Sequence, residues 1–281
     1  MSLVAHYRLL ALDLDGTLLS SEREIPEANL RAIEAAVREG VVIALVTGRR
    51  FPSVRRYLEP LGSETFAVAN SGALVRRGLE GPILRRSLLP LECAHRVLDL
   101  ADKAGMEPVL HDGPDAEGHL VLRTSARSVL SMGRYLNQTS PPPIWVESLR
   151  VDRSPVQIGF TGGVGEMRSF ETTLALGLSS SGHRASLART EYPEEDLALL
   201  DVLGVEATKS RALEFLASLL RIDLSSTMAV GDNWNDLEML EAAGLGVLMA
   251  NADPELRSRG FAETGTNDEN GVAQAIEKYL L

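Results

Sequence analysis

Short, unbroken apolar runs punctuate the chain, and each stops abruptly at polar residues. Residues 9–12 stop at Asp13, and 41–46 stop at Thr47-Gly48-Arg49-Arg50. Residues 66–69 stop at Asn70-Ser71-Gly72, 227–230 at Gly231-Asp232-Asn233, and 245–249 just before Asn251. Continuous rather than alternating apolar runs suit strands covered on both faces. Helical periodicity fills several of the gaps. Residues 26–39 place Leu30, Ile33 and Val37 on one face, with Pro26 at the start and Gly40 just past the end. Residues 210–220 carry Leu213, Phe215, Leu216 and Leu220, with Thr208 placed to cap. Residues 236–243 form a short predicted helix that Gly244 can stop, with Asn233 and Asn235 as cap candidates. Alternating strands and helices predict an α/β fold with a doubly wound parallel sheet. Ligands of such sheets sit beyond the carboxyl ends of the strands, and the polar clusters fall at those ends.

The middle of the chain has a different texture. Helix candidates at 91–103, 128–137 and 164–176 alternate with extended segments at 106–110, 119–124, 156–161 and 184–188, interrupted by Pro141-Pro142-Pro143. This predicts an inserted α+β domain over 85–190, with a discontinuous core formed by 1–84 and 191–281.

Composition narrows the function classes. Of 281 residues, compatible with one large domain or two smaller ones, 44% are hydrophobic, enough for a substantial core, and the net charge of −11 argues against general nucleic-acid binding. The single cysteine, Cys93, permits no internal disulfide and fits a reduced, cytoplasmic setting. No signal-peptide pattern and no apolar stretch of bilayer-spanning length stands out, so neither a membrane nor a nucleic acid is expected as partner.

The chemistry concentrates at the first strand end. In extended chain, Asp13 and Asp15 point to the same side, and Gly16 lets the chain turn. Two converging carboxylates repel unless a cation or shared proton relieves them. Asp13 is a candidate nucleophile toward phosphorus, and Asp15 a candidate proton donor and acceptor. Asp232, within Gly231-Asp232-Asn233-Trp234-Asn235-Asp236, is a candidate ligand for a hard cation such as Mg²⁺, with Asp13 and the backbone carbonyl of Asp15 completing the set. Helix capping is the plainer role for Asp232 and Asp236. No zinc-type cluster of His and Cys occurs. Thr47, Gly48 and Arg49 offer a hydroxyl, an open amide and a cation for phosphate. Lys209 opens a helix, where a cation opposes the macrodipole unless anions lie nearby. Asn70, Ser71 and Gly72 either line a substrate pocket or form an ordinary turn.

These residues resemble, in order, the four motifs of the haloacid dehalogenase (HAD) superfamily: Asp13-Leu14-Asp15-Gly16-Thr17, Thr47-Gly48-Arg49, Lys209, and Gly231-Asp232-Asn233-Trp234-Asn235-Asp236. The long insertion, Asn70-Ser71-Gly72, Met249-Ala250-Asn251-Ala252 and Asn270-Gly271-Val272 are similar to the Cof-like sugar-phosphatase branch with a large α/β cap. The resemblance implies a Rossmann-like core and a Mg²⁺-dependent phosphatase acting on a small phosphorylated metabolite, a sugar phosphate or phosphoglycerate-type compound. Asp13 would be the nucleophile and Asp15 the general acid and base. Thr47 and Lys209 would hold phosphate and the charge of an aspartyl-phosphate. Asp232 would bind Mg²⁺, Asp236 would orient Lys209 or the metal shell, and Asn235 would contact phosphate. Ser210 stands where the family often has glycine after the lysine. Two other functions stay open on the same scaffold: a phosphotransferase or phosphomutase, and a catalytically silent ligand-binding protein. A monomer and a homodimer are equally compatible with the sequence.

Overall fold

A computed structural model describes residues 7–111, 119–136 and 141–281, without the side chains of Leu130, Arg134 and Tyr135. The chain divides into two compact units. The first comprises residues 1–49, 54–84 and 209–281, and the second residues 50–53 and 85–208.

The first unit is built on strands β1 (Leu9–Leu12), β2 (Val42–Val46), β3 (Phe66–Ala69), β4 (Leu74–Arg77), β5 (Ile83–Arg86), β12 (Thr227–Gly231), β13 (Leu245–Leu248) and β14 (Ala262–Glu263), numbered in chain order. They lie in the order β14-β13-β12-β1-β2-β3-β4-β5. From β14 to β3 every neighbouring pair is parallel, and β4 turns back antiparallel on β3. The central strands are apolar and buried, apart from the half-buried Val42 at the start of β2, as unbroken apolar runs require of strands sandwiched between helices. Helices α6 (Lys209–Leu220) and α7 (Leu237–Ala242) bury Leu213, Leu216, Met239 and Leu240 against Leu9, Ala11, Ala44, Val46 and Ala229. Helices α1 (Glu27–Arg38) and α9 (Gly271–Tyr279) pack on each other. Buried Asn29 joins them, its Oδ1 accepting the backbone N–H of Ala273 at 2.9 Å. Helices α2 (Phe51–Leu58) and α8 (Pro254–Arg257) complete the first layers.

The second unit holds β6 (Val109–His111), β7 (Leu120–Arg123), β8 (Ile144–Val146), β9 (Gln157–Gly162), β10 (Ser186–Tyr192) and β11 (Leu197–Leu203), in the order β10-β11-β9-β6-β7-β8. Helices α3 (Leu91–Ala104) and α5 (Val164–Ser180) cover one face, burying Val97, Ala101, Phe170 and Leu174 against Leu110, Ile158, Phe160 and Leu200. On the other face Met132 of the short α4 (Leu130–Leu136) packs with Val109, Leu120 and Leu122. The predicted helix over 128–137 corresponds to α4, and its last residue, Asn137, lies outside the described residues.

The chain leaves this unit at Thr208, later than the exit near residue 191 expected from the sequence. Glu191 lies inside β10, which pairs with β11, and β11 pairs with β9, so the hairpin belongs to the second sheet. Among the described residues no helix is long and apolar enough to cross a membrane.

Candidate active site

Four adjacent strands, β12, β1, β2 and β3, end in Asp232, Asp13, Thr47 and Asn70. Because the strands are parallel, these residues fall along one edge of the sheet, where chain topology opens a crevice.

The acidic centre forms between β1 and β12. Ligand oxygens of Asp13, Asp232 and Asp236 all lie within 4.8 Å of one another. Lys209, buried at the first position of α6, donates from Nζ to Asp13 Oδ1 at 2.6 Å and to Asp236 Oδ1 at 2.5 Å. The second Asp236 oxygen accepts the backbone N–H groups of Asp232 (3.2 Å) and Asn233 (3.1 Å). Asp236 is therefore occupied as an anchor for the lysine and the loop, while Asp13 and Asp232 keep oxygens free to converge. Asn233, not Asn235, caps this turn, its side chain accepting from the Trp234 N–H at 2.8 Å. Asn235 is half-buried in the short turn Trp234–Asp236.

The electrostatics follow from burial and crowding. Burial first, then Asp236, pushes the Asp13 carboxyl well above the usual carboxylate range, with Lys209 pulling it back. Burial and then Asp236 push Asp232 up to about 7, opposed by the hydrogen bond from Thr17. Burial alone would lower the Lys209 ammonium; its two carboxylate partners raise it instead. Three carboxylates thus face one ammonium, and a hard divalent cation is the group that offsets such an excess. The donor set fits: it is compact and supplies only oxygens.

Close approach dictates the glycine of the first loop. Gly16 sits at φ +79°, and a β-carbon there would stand 2.2 Å from Asp232 Oδ2. Thr17 donates to Asp232 Oδ1 at 2.9 Å, tying the two loops together rather than bracing only its own. Asn251 donates to the Gly16 carbonyl at 2.8 Å and accepts the Asn267 N–H at 3.0 Å.

Asp15 lies beside this centre, outside the acidic cluster. Arg49 grips it through both arms of the guanidinium, Nε to Oδ2 at 2.6 Å and Nη2 to Oδ1 at 2.5 Å. Burial opposes the Arg49 charge, but the bonds to Asp15 outweigh it and raise the guanidinium further. Arg49 Nη1 also reaches the Tyr57 hydroxyl at 3.2 Å. Tyr57 belongs to no motif that marks it in the sequence; its body is buried and its hydroxyl is used.

The loops after β2 and β3 interlock. Asn70 N–H donates to the Arg49 carbonyl (2.9 Å) and Ser71 N–H to the Thr47 carbonyl (3.0 Å). Asn70, Ser71 and Gly72 all take positive φ, 50°, 52° and 101°. Two buried non-glycine residues in that region exceed what a plain turn requires and mark a constrained site. The Thr47 hydroxyl accepts the Arg49 N–H at 3.1 Å, and a β-carbon on Gly48 would stand 3.4 Å from Ser71 Oγ. Ser210, in place of glycine, donates to Glu238 Oε2 at 3.2 Å and so joins α6 to α7.

The haloacid dehalogenase-like hydrolase family matches residues 10–154 and 169–276. Phosphatase YwpJ of Bacillus subtilis is 30% identical over 286 residues, covering 98% of this chain and 100% of its own. The HMP-PP phosphatase of Escherichia fergusonii is 30% identical over 252 residues, covering 89% of this chain and 87% of its own. The structure of the phosphatase BT1666 from Bacteroides thetaiotaomicron superposes with a TM-score of 0.80 at 23% identity, covering 99% of this chain and 97% of that one. The chain belongs to the haloacid dehalogenase-like hydrolase family. It is a hydrolase of the type whose relatives are named as phosphatases.

Proposed function

We propose that the protein is a Mg²⁺-dependent phosphatase that hydrolyses a small phosphorylated metabolite, a sugar phosphate or phosphoglycerate-type compound, through an aspartyl-phosphate. The observation that carries this reading is the Asp13–Lys209–Asp236 arrangement beside Asp232. It holds a carboxylate fixed, buried and facing a cation-binding set, as a nucleophile toward phosphorus requires. The names of relatives, phosphatases of small metabolites among them, support the substrate class.

In the proposed reaction an oxygen of Asp13 attacks phosphorus and the bond to the leaving oxygen breaks. Asp15 supplies the proton that the leaving alcohol needs. Water then attacks phosphorus, Asp15 accepts its proton, and the bond to Asp13 breaks. Lys209 neutralises charge on Asp13 as it changes from carboxylate to acyl phosphate and back. Arg49 orients Asp15, and Thr47, Gly48, Asn70, Ser71, Gly72 and Asn235 bind phosphate oxygens and substrate. Asp13, Asp232 and the Asp15 carbonyl would hold Mg²⁺, which when bound screens the phosphate charge against the carboxylates. Positioning and charge compensation dominate such transfers. The second unit, as cap, selects the leaving group. The test is phosphate release across a metabolite panel with Mg²⁺, without added acceptor, run beside Asp13→Asn. Turnover by the wild type and its loss in the variant supports the reading. Unchanged hydrolysis by the variant removes Asp13 as nucleophile.

A further inference from the structure

Two segments of the first unit have no part in the reaction as proposed: Met249-Ala250-Asn251-Ala252 after β13, and Asn270-Gly271-Val272 at the start of α9. Both connect to the loop that carries Asp13 and Asp15. The ladder of β1 with β2 and β12 ends at Leu12. From Thr17 to Leu19 the backbone N–H groups of the loop bond only within it, to the carbonyls of Asp13 and Leu14. Such local bonds fix the turn but not its position against the rest of the unit.

Three asparagines supply that position by holding the loop's carbonyls. Asn251 donates to the Gly16 carbonyl at 2.8 Å, buried Asn29 to that of Leu18 at 3.3 Å, and Asn267 to that of Leu19 at 2.9 Å. Two of them also accept a backbone N–H of the C-terminal segment: Asn251 that of Asn267 at 3.0 Å, and Asn29 that of Ala273 at 2.9 Å. An amide side chain donates from nitrogen and accepts at oxygen at once, which an ionised carboxylate of the same shape does not. Asp268 completes the set, its Oδ1 accepting the Ser21 N–H at 2.8 Å.

The same segment holds the other acidic loop. Met249 N–H donates to the Gly231 carbonyl at 3.0 Å. Residues 249–251 therefore grip both the residue after Asp15 and the residue before Asp232. Between these grips the two loops touch: Gly16 leaves no room for a β-carbon beside Asp232, and the Thr17 hydroxyl bonds to Asp232 Oδ1. A shift of Gly16 thus moves Asp232 relative to Asp13. The second segment braces the first. A β-carbon on Gly271 would stand 2.3 Å from the Gly265 carbonyl oxygen and 2.8 Å from Met249 Cε. That carbonyl accepts the Ala250 N–H at 3.2 Å, next to Asn251.

We propose that Asn251 and Asn267 are positioning residues that hold the Asp13–Thr17 loop against the Asp232 loop and thereby set how tightly the acidic centre binds a divalent cation. The link to cation affinity rests on the Mg²⁺ reading; the positioning itself does not. Asn251 is exposed, so its truncation opens no cavity and acts through its bonds to Gly16 and Asn267.

Three measurements without catalysis test it: calorimetric titration with Mg²⁺ alone, hydrogen exchange in the absence of metal, and a thermal melt. They are run on the full-length wild type, Asn251→Ala, Asn267→Ala and Gln274→Ala. Gln274 is the control, because it bonds within the same C-terminal segment, to the Glu269 carbonyl at 2.7 Å. The expected result is Mg²⁺ binding by the wild type, at least about tenfold weaker in both asparagine variants, the loss of about one hydrogen bond, and unchanged in Gln274→Ala. Exchange is expected to quicken in peptides covering 13–21 and 231–236 in the asparagine variants alone. A wild type that binds no Mg²⁺ but shows this coupled exchange leaves the positioning standing and removes the Mg²⁺ reading. Three results overturn the positioning: exchange changes confined to residues 249–270, wild-type Mg²⁺ affinity retained by both asparagine variants, or an equal loss of affinity in Gln274→Ala. A lower melt with unchanged Mg²⁺ affinity also overturns it and makes the asparagines a structural brace.

Discussion

Gly16 and Asp232, 216 positions apart in sequence, approach so closely that a β-carbon on Gly16 would lie 2.2 Å from Asp232 Oδ2. The loop that carries the first two aspartates and the loop that carries the third are therefore one packed object. Gly16→Ala must both strain a backbone at φ +79° and displace Asp232. Strain alone costs about 1–3 kcal/mol. Urea unfolding is expected to show at least that loss. Phosphate release is expected to fall at least about a hundredfold, since small misplacements of reacting groups have effects of that size.

Arg49→Lys keeps the charge but loses the two-armed grip on Asp15. Charged hydrogen bonds of this kind contribute about 1.5–3 kcal/mol, so kcat is expected to drop by about 10- to 100-fold. Tyr57→Phe removes the 3.2 Å bond from Arg49, together with the hydroxyl's bonds from Arg56 and to the Arg23 carbonyl, leaves the grip on Asp15 in place, and should lower kcat by less than about tenfold. Steady-state kinetics on both variants checks the order.

Lys209→Met leaves Asp13 and Asp236 buried without their counter-charge. Breaking one side of a buried ion pair costs about 3–5 kcal/mol, and that loss is expected in chemical denaturation in the absence of metal. A divalent cation that binds Asp13 and Asp232 should raise the wild-type melting temperature in a concentration-dependent way. Asp232→Asn should remove that rise, which a calorimetric melt with and without Mg²⁺ measures.

Burial pushes the Asp201 carboxyl up to about 7, against the lowering effect of the Gln157 bond. Its unfolded value lies near about 4, so the folded state holds the proton more tightly. The stability from this group is fully present below about pH 4 and is lost as pH rises through about 7. Asp201→Asn removes the dependence. Its stability relative to wild type is expected to improve from about pH 4 to about pH 7 and to level off above that in urea titrations; a flat difference across this window would contradict the assignment.

Much of the first unit is legible in sequence, because each buried parallel strand announces itself as an apolar run and each ends in the residues of the site. The predicted strand at 9–12 and the helix over 26–39 correspond to β1 and α1 within a residue or so. The hairpin strand β11 is not legible. Leu197-Ala-Leu-Leu-Asp-Val-Leu has the length and content of either a strand or a helix segment, and only pairing with β9 and β10 decides it. Missing β11 moved the expected domain exit to the wrong side of the hairpin. The site shows the same division. Asp13, Lys209, Asp232 and Asp236 are recognisable by residue type and position. The Arg49–Asp15 grip and the Asn251 contact to Gly16 depend on distances that only the folded chain supplies.

The proposed reaction turns on Asp13 itself becoming phosphorylated. Acid quench of a ³²P-labelled phosphate ester against Asp15→Asn, in which release of the intermediate should be slowed, tests it directly. The expected result is base-labile label on the peptide containing Asp13, absent from Asp13→Asn. Turnover with no protein-bound label at any quench time, or label on another residue, would contradict it.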